Sequence, residues 1–149
     1  MSSQGRETQQ MGPQNIRELK QMLEQFYLHN SPLASHGVDA WTPPTDVYET
    51  QNNIVIKMAL PGVRADQIKI KICGDTVIIG GRRDHTLDAD VVSVHQMEIR
   101  YGFFERRITI QRPFDGRSAV AAYEEGFLIV RIPKAPKLAN QVVVLRLQL

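Results

Sequence analysis

The sequence predicts an all-β protein: an antiparallel, immunoglobulin-like β-sandwich with an N-terminal amphipathic helical arm and a C-terminal extended tail. Three observations predict it. From Thr45 onward, apolar residues alternate with polar ones in short runs, turn signals separate those runs, and no helix-period segment of useful length interrupts them. Repeated short strands without crossover helices pair antiparallel, and about eight of them form two stacked sheets, because each strand has one apolar face to bury.

Composition restricts the classes of protein to consider. The chain has 149 residues and 16.9 kDa, with 42% hydrophobic and 23% charged residues, which suits one globular domain plus appendages. Its single cysteine excludes an intrachain disulfide and favours a reducing compartment, so we expect a cytoplasmic location. We expect neither a secretory signal in residues 1–12 nor a membrane span, because no run reaches about 18 apolar residues. The net charge, 18 − 16 = +2, is too near neutral for a dedicated nucleic-acid binder.

Residues 1–40 are predicted to form an N-terminal arm. Residues 1–12 are polar and should be disordered, whereas residues 14–28 repeat apolar positions at three- and four-residue steps, as an amphipathic helix does. Proline and glycine in residues 30–44 detach this helix from the strand region. Its apolar stripe either packs on its own domain or, in the interpretation we favour, covers other subunits or client proteins. The apolar residues concerned are Ile16, Leu19, Met22, Leu23, Phe26 and Tyr27.

The strand predictions rest on period-two runs that are rich in β-branched residues. Ile68, Ile70 and Ile72, for example, alternate with two lysines, and the Gly74-Asp75 pair then marks a turn. The predicted strands cover residues 54–58, 68–72, 76–79, 107–110, 120–124 and 128–132. Together they assign residues 41–134 to the sandwich domain.

Two segments do not fit a self-contained sandwich. Residues 82–97 form a long polar excursion with a short β-like run, 91–94, which could pair with the edge of another subunit. In the C-terminal extension, residues 135–149, Val143, Leu145 and Leu147 share one face of an extended run. This run either forms a last strand of its own domain or, as we favour, adds to a sheet edge or fills a groove elsewhere.

No catalytic residue, metal site or cofactor site is predicted. The four histidines lie at a helix end, in the linker or in the excursion, and none pairs at the short spacing of a zinc site. Gly80-Gly81 is followed by two arginines, which is not a phosphate-binding loop. We expect a structural role for Cys73, and ion pairs on the strand surface rather than RNA contacts for a group of arginines. These arginines are Arg100, Arg106, Arg107 and Arg112.

Five short motifs lie in order along residues 41–147. They are WTPPTDVYE at 41–49, ALPGV at 59–63, YGFFER at 101–106, AYEEGFL at 122–128, and either VVL at 143–145 or LRL at 145–147. Together they resemble the motifs of the small heat-shock proteins, whose common core is the α-crystallin domain. The long excursion resembles the non-metazoan type of that family. The tail motif of the family usually reads I-x-I, so its register in this chain stays open.

The resemblance implies roles for particular residues. The excursion would exchange a strand holding Val91, Val92 and Val94 into the partner's sandwich, and Arg106 would form ion pairs at that dimer interface. The tail anchor would be Val143, Leu145 and Leu147. It would dock in a groove between the strand holding Ile70 and Ile72 and the strand holding Leu128 and Val130.

The function implied is that of an ATP-independent holdase chaperone of the stress response. Such a protein is not an enzyme and needs no cofactor; it binds partly unfolded clients, chiefly through the arm, and passes them to downstream ATP-dependent chaperones. It would work as a large homo-oligomer assembled from strand-exchanged dimers. Two alternatives are a co-chaperone or scaffold for one specific partner, and a membrane-surface protein that uses the helix and the cationic tail.

Overall fold

Nine β-strands, among the residues that the structure describes, lie in two stacked sheets. The structure is a computed structural model, and it describes residues 40–149. The predicted disorder of residues 1–12, the helix 14–28 and its six apolar arm residues lie outside the described residues. The strands are β1 Thr45–Glu49, β2 Asn53–Ala59, β3 Ile68–Cys73, β4 Thr76–Arg83, β5 Gly102–Thr109, β6 Val120–Glu124, β7 Phe127–Pro133, β8 Val142–Leu145 and β9 Leu147–Gln148.

The larger sheet has five strands in the order β1-β2-β7-β6-β9, and the smaller has four in the order β5-β4-β3-β8. Every pair of neighbouring strands is antiparallel except β6 and β9, which run parallel. Two single-turn 3₁₀ helices, Ala65–Gln67 and Gly116–Ser118, lie in the connections. The predicted all-β, antiparallel sandwich is confirmed.

The core lies between the two sheets and is built from alternate residues of the strands. In β2, β3 and β7 the inward-facing side chains are at most 6% exposed, because period-two spacing places every second residue on the same face. Burying each such aliphatic side chain stabilises the fold by roughly 1.5–3 kcal/mol. These side chains are Ile54, Ile56, Met58, Ile68, Ile70, Ile72, Leu128, Val130 and Ile132.

Three strands differ from the prediction. Strand β5 begins at Gly102, five residues before the predicted strand 107–110. The sequence TDVYE forms β1, which is not among the predicted strands, and β4 continues past residue 79 to Arg83. Gly80-Gly81 is therefore part of a strand. A Cβ atom at Gly81 would overlap the carbonyl oxygen of Gln67 and lie 2.7 Å from the ring of Phe104. The glycine is required there by close packing inside the sheet.

Two of the short motifs contact each other across the fold. The backbone N–H of Leu60 donates to the carbonyl of Gly126 at 2.7 Å. The Tyr123 hydroxyl lies 2.6 Å from the Leu60 carbonyl oxygen and 2.7 Å from that of Val63, and donates to this pair. Burial raises the pKa of Tyr123. The loop at 59–63 is thus fastened to the turn that joins β6 to β7.

The Gly126→Ala variant should lose more stability than the Gly62→Ala variant. Both glycines have left-handed backbones, with φ of +79° and +77°, so alanine costs about 1–2 kcal/mol at either position. Only at Gly126 would the new Cβ also press on Pro61, at 3.1 Å from its Cα, whereas nothing lies within 4 Å at Gly62. Crowding of this kind adds about 1–3 kcal/mol. Urea unfolding should show this difference, and equal losses would contradict the packing argument.

Candidate functional site

The C-terminal tail joins the two sheets along one side of the sandwich. Strand β8 pairs with β3, so that Val143 lies opposite Ile72 and Leu145 opposite Ile70. The chain then crosses to the larger sheet, where Leu147 pairs with Ala121 of β6. The three apolar tail residues are partly buried against the core, while Val142 and Val144 point outward and are 69% and 61% exposed. The tail groove is therefore the space between β3 and β6.

This arrangement bears on the register of the tail motif, for which the sequence allows two positions. Val143, Leu145 and Leu147 all enter the groove, so both candidate motifs use it and share Leu145. Leu128 and Val130, which were predicted to line it, are fully buried in β7. They belong to the apolar cluster against which the tail packs, but the strand that pairs with β9 is β6. The reason is that β7 already has β2 and β6 as neighbours, so its backbone groups are taken.

The opposite side of the sandwich ends at β1, which is the edge strand of the larger sheet. Val47 lies on the same face as its register partner, the fully buried Ile56, yet it is 48% exposed. Within the described part of the chain, the inward face of β1 is therefore only partly covered. An edge strand of this kind presents unpaired backbone groups that another strand can join.

The excursion that follows β4 forms no strand between Asp84 and Tyr101. Every residue from His85 to Arg100 is exposed. Residues 91–94 have no strand partner within residues 40–149. A strand needs a neighbour for its backbone hydrogen bonds, so this β-like run does not form one here. Six large apolar side chains are exposed between Asp84 and Tyr101: Leu87, Val91, Val92, Val94 and Met97 of the excursion, and Ile99 just after it.

Arg83, at the end of β4 where the excursion leaves the sheet, is a buried cation that the sequence analysis did not predict. Arg83 is only 8% exposed, and its Nη1 donates to the carbonyl of Arg100 at 2.8 Å. Its guanidinium lies 4.2 Å from the ring centre of Trp41, and its Nε is buried without a hydrogen-bond partner. Burial lowers the pKa of Arg83. Trp41 in turn donates from Nε1 to the Gly102 carbonyl at 3.2 Å, so both ends of the excursion meet at this contact.

Arg106 lies on the inward-facing side of β5, in register with buried Ile79. Among the side chains of residues 40–149, no carboxylate forms an ion pair with it. Two of the other arginines do form surface ion pairs: Arg107 with Glu105 at 2.9 Å, and Arg112 with Glu49 at 3.0 Å. Arg106 therefore lies in an edge strand of the smaller sheet.

An ion-pair cluster fixes the end of β1. The Glu49 carboxylate accepts from Lys134 at 3.2 Å and from Arg112 at 3.0 Å. The hydrogen bond from Lys134, followed by that from Arg112, holds the pKa of Glu49 below its usual range. Because the pKa is lower in the folded chain than in the unfolded chain, the cluster stabilises the fold above the unfolded-state pKa. That contribution is lost as the pH falls through the folded-state pKa.

The melting temperature should therefore fall more steeply in the wild-type chain than in Glu49→Gln as the pH is lowered from about 5 to about 3. The amide cannot titrate, so the variant lacks this contribution at every pH. Glu124→Gln, which removes one exposed carboxylate at the end of β6, is the matched control and should keep the wild-type slope. Scanning calorimetry across this range measures the slopes, and parallel curves for all three chains would refute the role of the cluster.

Other chemistry is sparse in the part of the chain that the structure describes. Within it, no three His, Cys, Asp or Glu side chains are grouped closely enough to hold a metal ion. Cys73 is exposed, at the end of β3. The described segment also contains no helix of the length and apolarity needed to cross a membrane.

The fold and these surfaces define a class: a β-sandwich domain with an open strand edge, an apolar excursion and a tail-filled groove. The sequence profile of the Hsp20/alpha crystallin family matches residues 46–144. The chain belongs to this family, which confirms the resemblance and supports a chaperone role.

Relatives in several organisms cover most of the chain. Spore protein SP21 of Stigmatella aurantiaca is 30% identical over 135 residues, which are 84% of this chain and 80% of that protein. A 17.7 kDa class II heat shock protein of Arabidopsis thaliana is 32% identical, over 72% of each chain. Among solved structures, hspA of Xanthomonas axonopodis has a TM-score of 0.61 and 31% identity, over 66% of this chain and 99% of that one. A small heat-shock protein of Xylella fastidiosa has a TM-score of 0.60 and 26% identity, over 74% and 98%.

Proposed function

We propose that this protein is an ATP-independent holdase chaperone that keeps partly unfolded proteins from aggregating. It works in the cytoplasm as a large oligomer assembled from dimers. The observation that carries the proposal is the uneven cover of the sandwich: one side is closed only by a short tail, and the other leaves β1 and the excursion exposed. Apolar burial yields about 25 cal/mol per Å² and is non-directional, which suits clients of no fixed sequence.

The dimer forms by strand exchange in this proposal. Val91, Val92 and Val94 of the excursion extend along the β1 edge of a second copy, where the exposed Val47 offers an apolar contact. Main-chain pairing supplies affinity and the alternate side chains supply register. Arg106 provides a cation at the neighbouring sheet edge for a carboxylate of the partner.

Tails link the dimers into the larger assembly. Within this chain the tail pairs through Val143 and Leu145 along β3 and through Leu147 along β6. In this proposal, the tail of one copy makes the same pairing in the groove of another. The solved small heat-shock protein of Xylella fastidiosa has a distinct high order structure, which supports assembly beyond the dimer. The apolar stripe of the arm, residues 14–28, binds clients once the assembly loosens, and ATP-dependent chaperones then refold them.

Replacing both Leu145 and Leu147 with glycine should reduce the oligomer to dimers or small species. The substitutions remove the apolar groups that fill the groove and loosen the extended backbone. The matched control replaces Val142 and Val144 with glycine, since these residues lie in the same tail but point outward. Multi-angle light scattering gives the mass of each assembly. A large assembly that survives the leucine substitutions, or shrinks equally in the control, would refute tail docking.

In an aggregation assay, the protein should suppress light scattering by several unrelated heat-labile enzymes without ATP. Added ATP should change nothing, because holding a client by apolar burial needs no nucleotide. A chain with Leu19→Ser and Phe26→Ser should protect less, while its β-sandwich circular dichroism stays unchanged. A defined complex with one folded protein and no protection of the unrelated enzymes would favour a scaffold instead. Vesicle flotation would identify a membrane-surface role.

A further inference from the structure

The start of the tail carries a buried amide. Gln141 lies immediately before β8 and is only 2% exposed. Its Oε1 accepts from the backbone N–H of Gly116 at 2.8 Å, and its Nε2 donates to the carbonyl of Gly74 at 3.2 Å. Its own backbone carbonyl accepts from the N–H of Gly74 at 2.9 Å. Three hydrogen bonds thus fasten this one residue to two separate loops of the sandwich.

The two glycines shape a pocket of the size of an amide group. Gly74 belongs to the β3–β4 turn and has a left-handed backbone with φ of +59°. Gly116 begins a 3₁₀ helix whose first turn is fixed by Asp115, which accepts from the Arg117 N–H at 3.0 Å. A Cβ at Gly116 would lie 2.9 Å from Oε1 of Gln141 and 3.1 Å from Cγ2 of Ile72. The side chains of Gln141 and Ile72 therefore leave no room for a Cβ atom at Gly116.

The pocket presents opposite hydrogen-bonding groups to its occupant. On one side it offers a backbone N–H, which requires an acceptor, and on the other a carbonyl, which requires a donor. A primary amide supplies both from one planar group. A carboxylate of the same shape would set a charged oxygen against the Gly74 carbonyl, and an apolar side chain would leave the Gly116 N–H buried and unpaired.

We propose that Gly74 and Gly116 form an amide-recognition subsite at the end of the tail groove. This subsite binds the side chain of Gln141, two residues before Val143, the first apolar residue in the groove. The groove then recognises the pattern Q-x-V-x-L-x-L, in which the position of the glutamine fixes the register of the three apolar residues. The ligand is an extended segment of this pattern, namely the chain's own tail, whose Gln141 occupies the subsite. This inference goes beyond the proposed chaperone activity and rests only on contacts within the described residues.

The first test compares Gln141→Glu with Val144→Glu by hydrogen–deuterium exchange of the full chain at pH 7. Both variants add one negative charge to the tail, but only the first adds it inside the pocket, since Val144 is 61% exposed. In Gln141→Glu, exchange of residues 142–148 should rise about tenfold or more, while β2 and β7 keep their protection. Val144→Glu should stay near the wild-type rate. Wild-type protection of the tail in Gln141→Glu, or an equal rise in both variants, would overturn the subsite.

The second test uses labelled peptides of residues 140–148, one with the native glutamine and one with glutamate in its place. The native peptide should bind the Gln141→Glu chain, whose groove has been vacated, and bind about tenfold or more tightly than the glutamate peptide. The same two peptides can also be compared as competitors for the groove of the wild-type chain. This comparison does not depend on the Gln141→Glu chain being folded. Equal binding of the two peptides would refute recognition of the amide. Neither test measures client aggregation, so its failure and that of the chaperone proposal are distinguishable.

Discussion

The structure depends on how the inward faces of two sheets are covered along their two long sides. On the side of β3 and β6, the tail supplies a strand to each sheet and closes the core with Val143, Leu145 and Leu147. On the side of β1, no described element does the same, and Val47 stays half exposed beside buried Ile56. The tail thus completes the core on one side of the sandwich, while on the other side β1 is left as an edge strand.

The parts of the fold that the sequence predicts are those in which local pattern and tertiary position agree. Ile68, Ile70 and Ile72 alternate cleanly with lysines, and the structure buries the isoleucines in β3 while the lysines face outward. β1 is harder to predict because Val47 and Tyr48 are both exposed, so its residues show no contrast between a buried and a solvated face. The length of β4 is missed because the apolar run ends at Gly80-Gly81 and glycine is depleted in strands, whereas packing of Gly81 against Gln67 and Phe104 requires glycine in that strand.

The candidate site is predictable only where its chemistry is apolar and periodic. The alternation of Val143, Leu145 and Leu147 predicts a groove-filling strand, and the resemblance supplies a place for it along β3. Gln141 gives no such signal, because one polar residue before a strand has the composition of a loop; its importance arises from Gly74 and Gly116, which are distant in sequence. The same holds for Arg83 and Trp41, whose contact becomes visible only when the strands are in place.

The tail must be held in the groove and must also be held in one register. The apolar part and the polar part of the tail groove contribute differently to these two requirements. Apolar contacts are strong but tolerant, since any leucine-like side chain gains from burial beside Ile70 and Ile72. On apolar contacts alone, the tail could slip by two residues, because the same alternation continues from Val143 to Leu147. A buried amide between two fixed backbone groups has no equivalent two residues away, where the tail offers only the apolar side chains of Ala139 and Val143. The polar contact at Gln141 therefore fixes the register of a segment whose apolar residues supply most of its affinity.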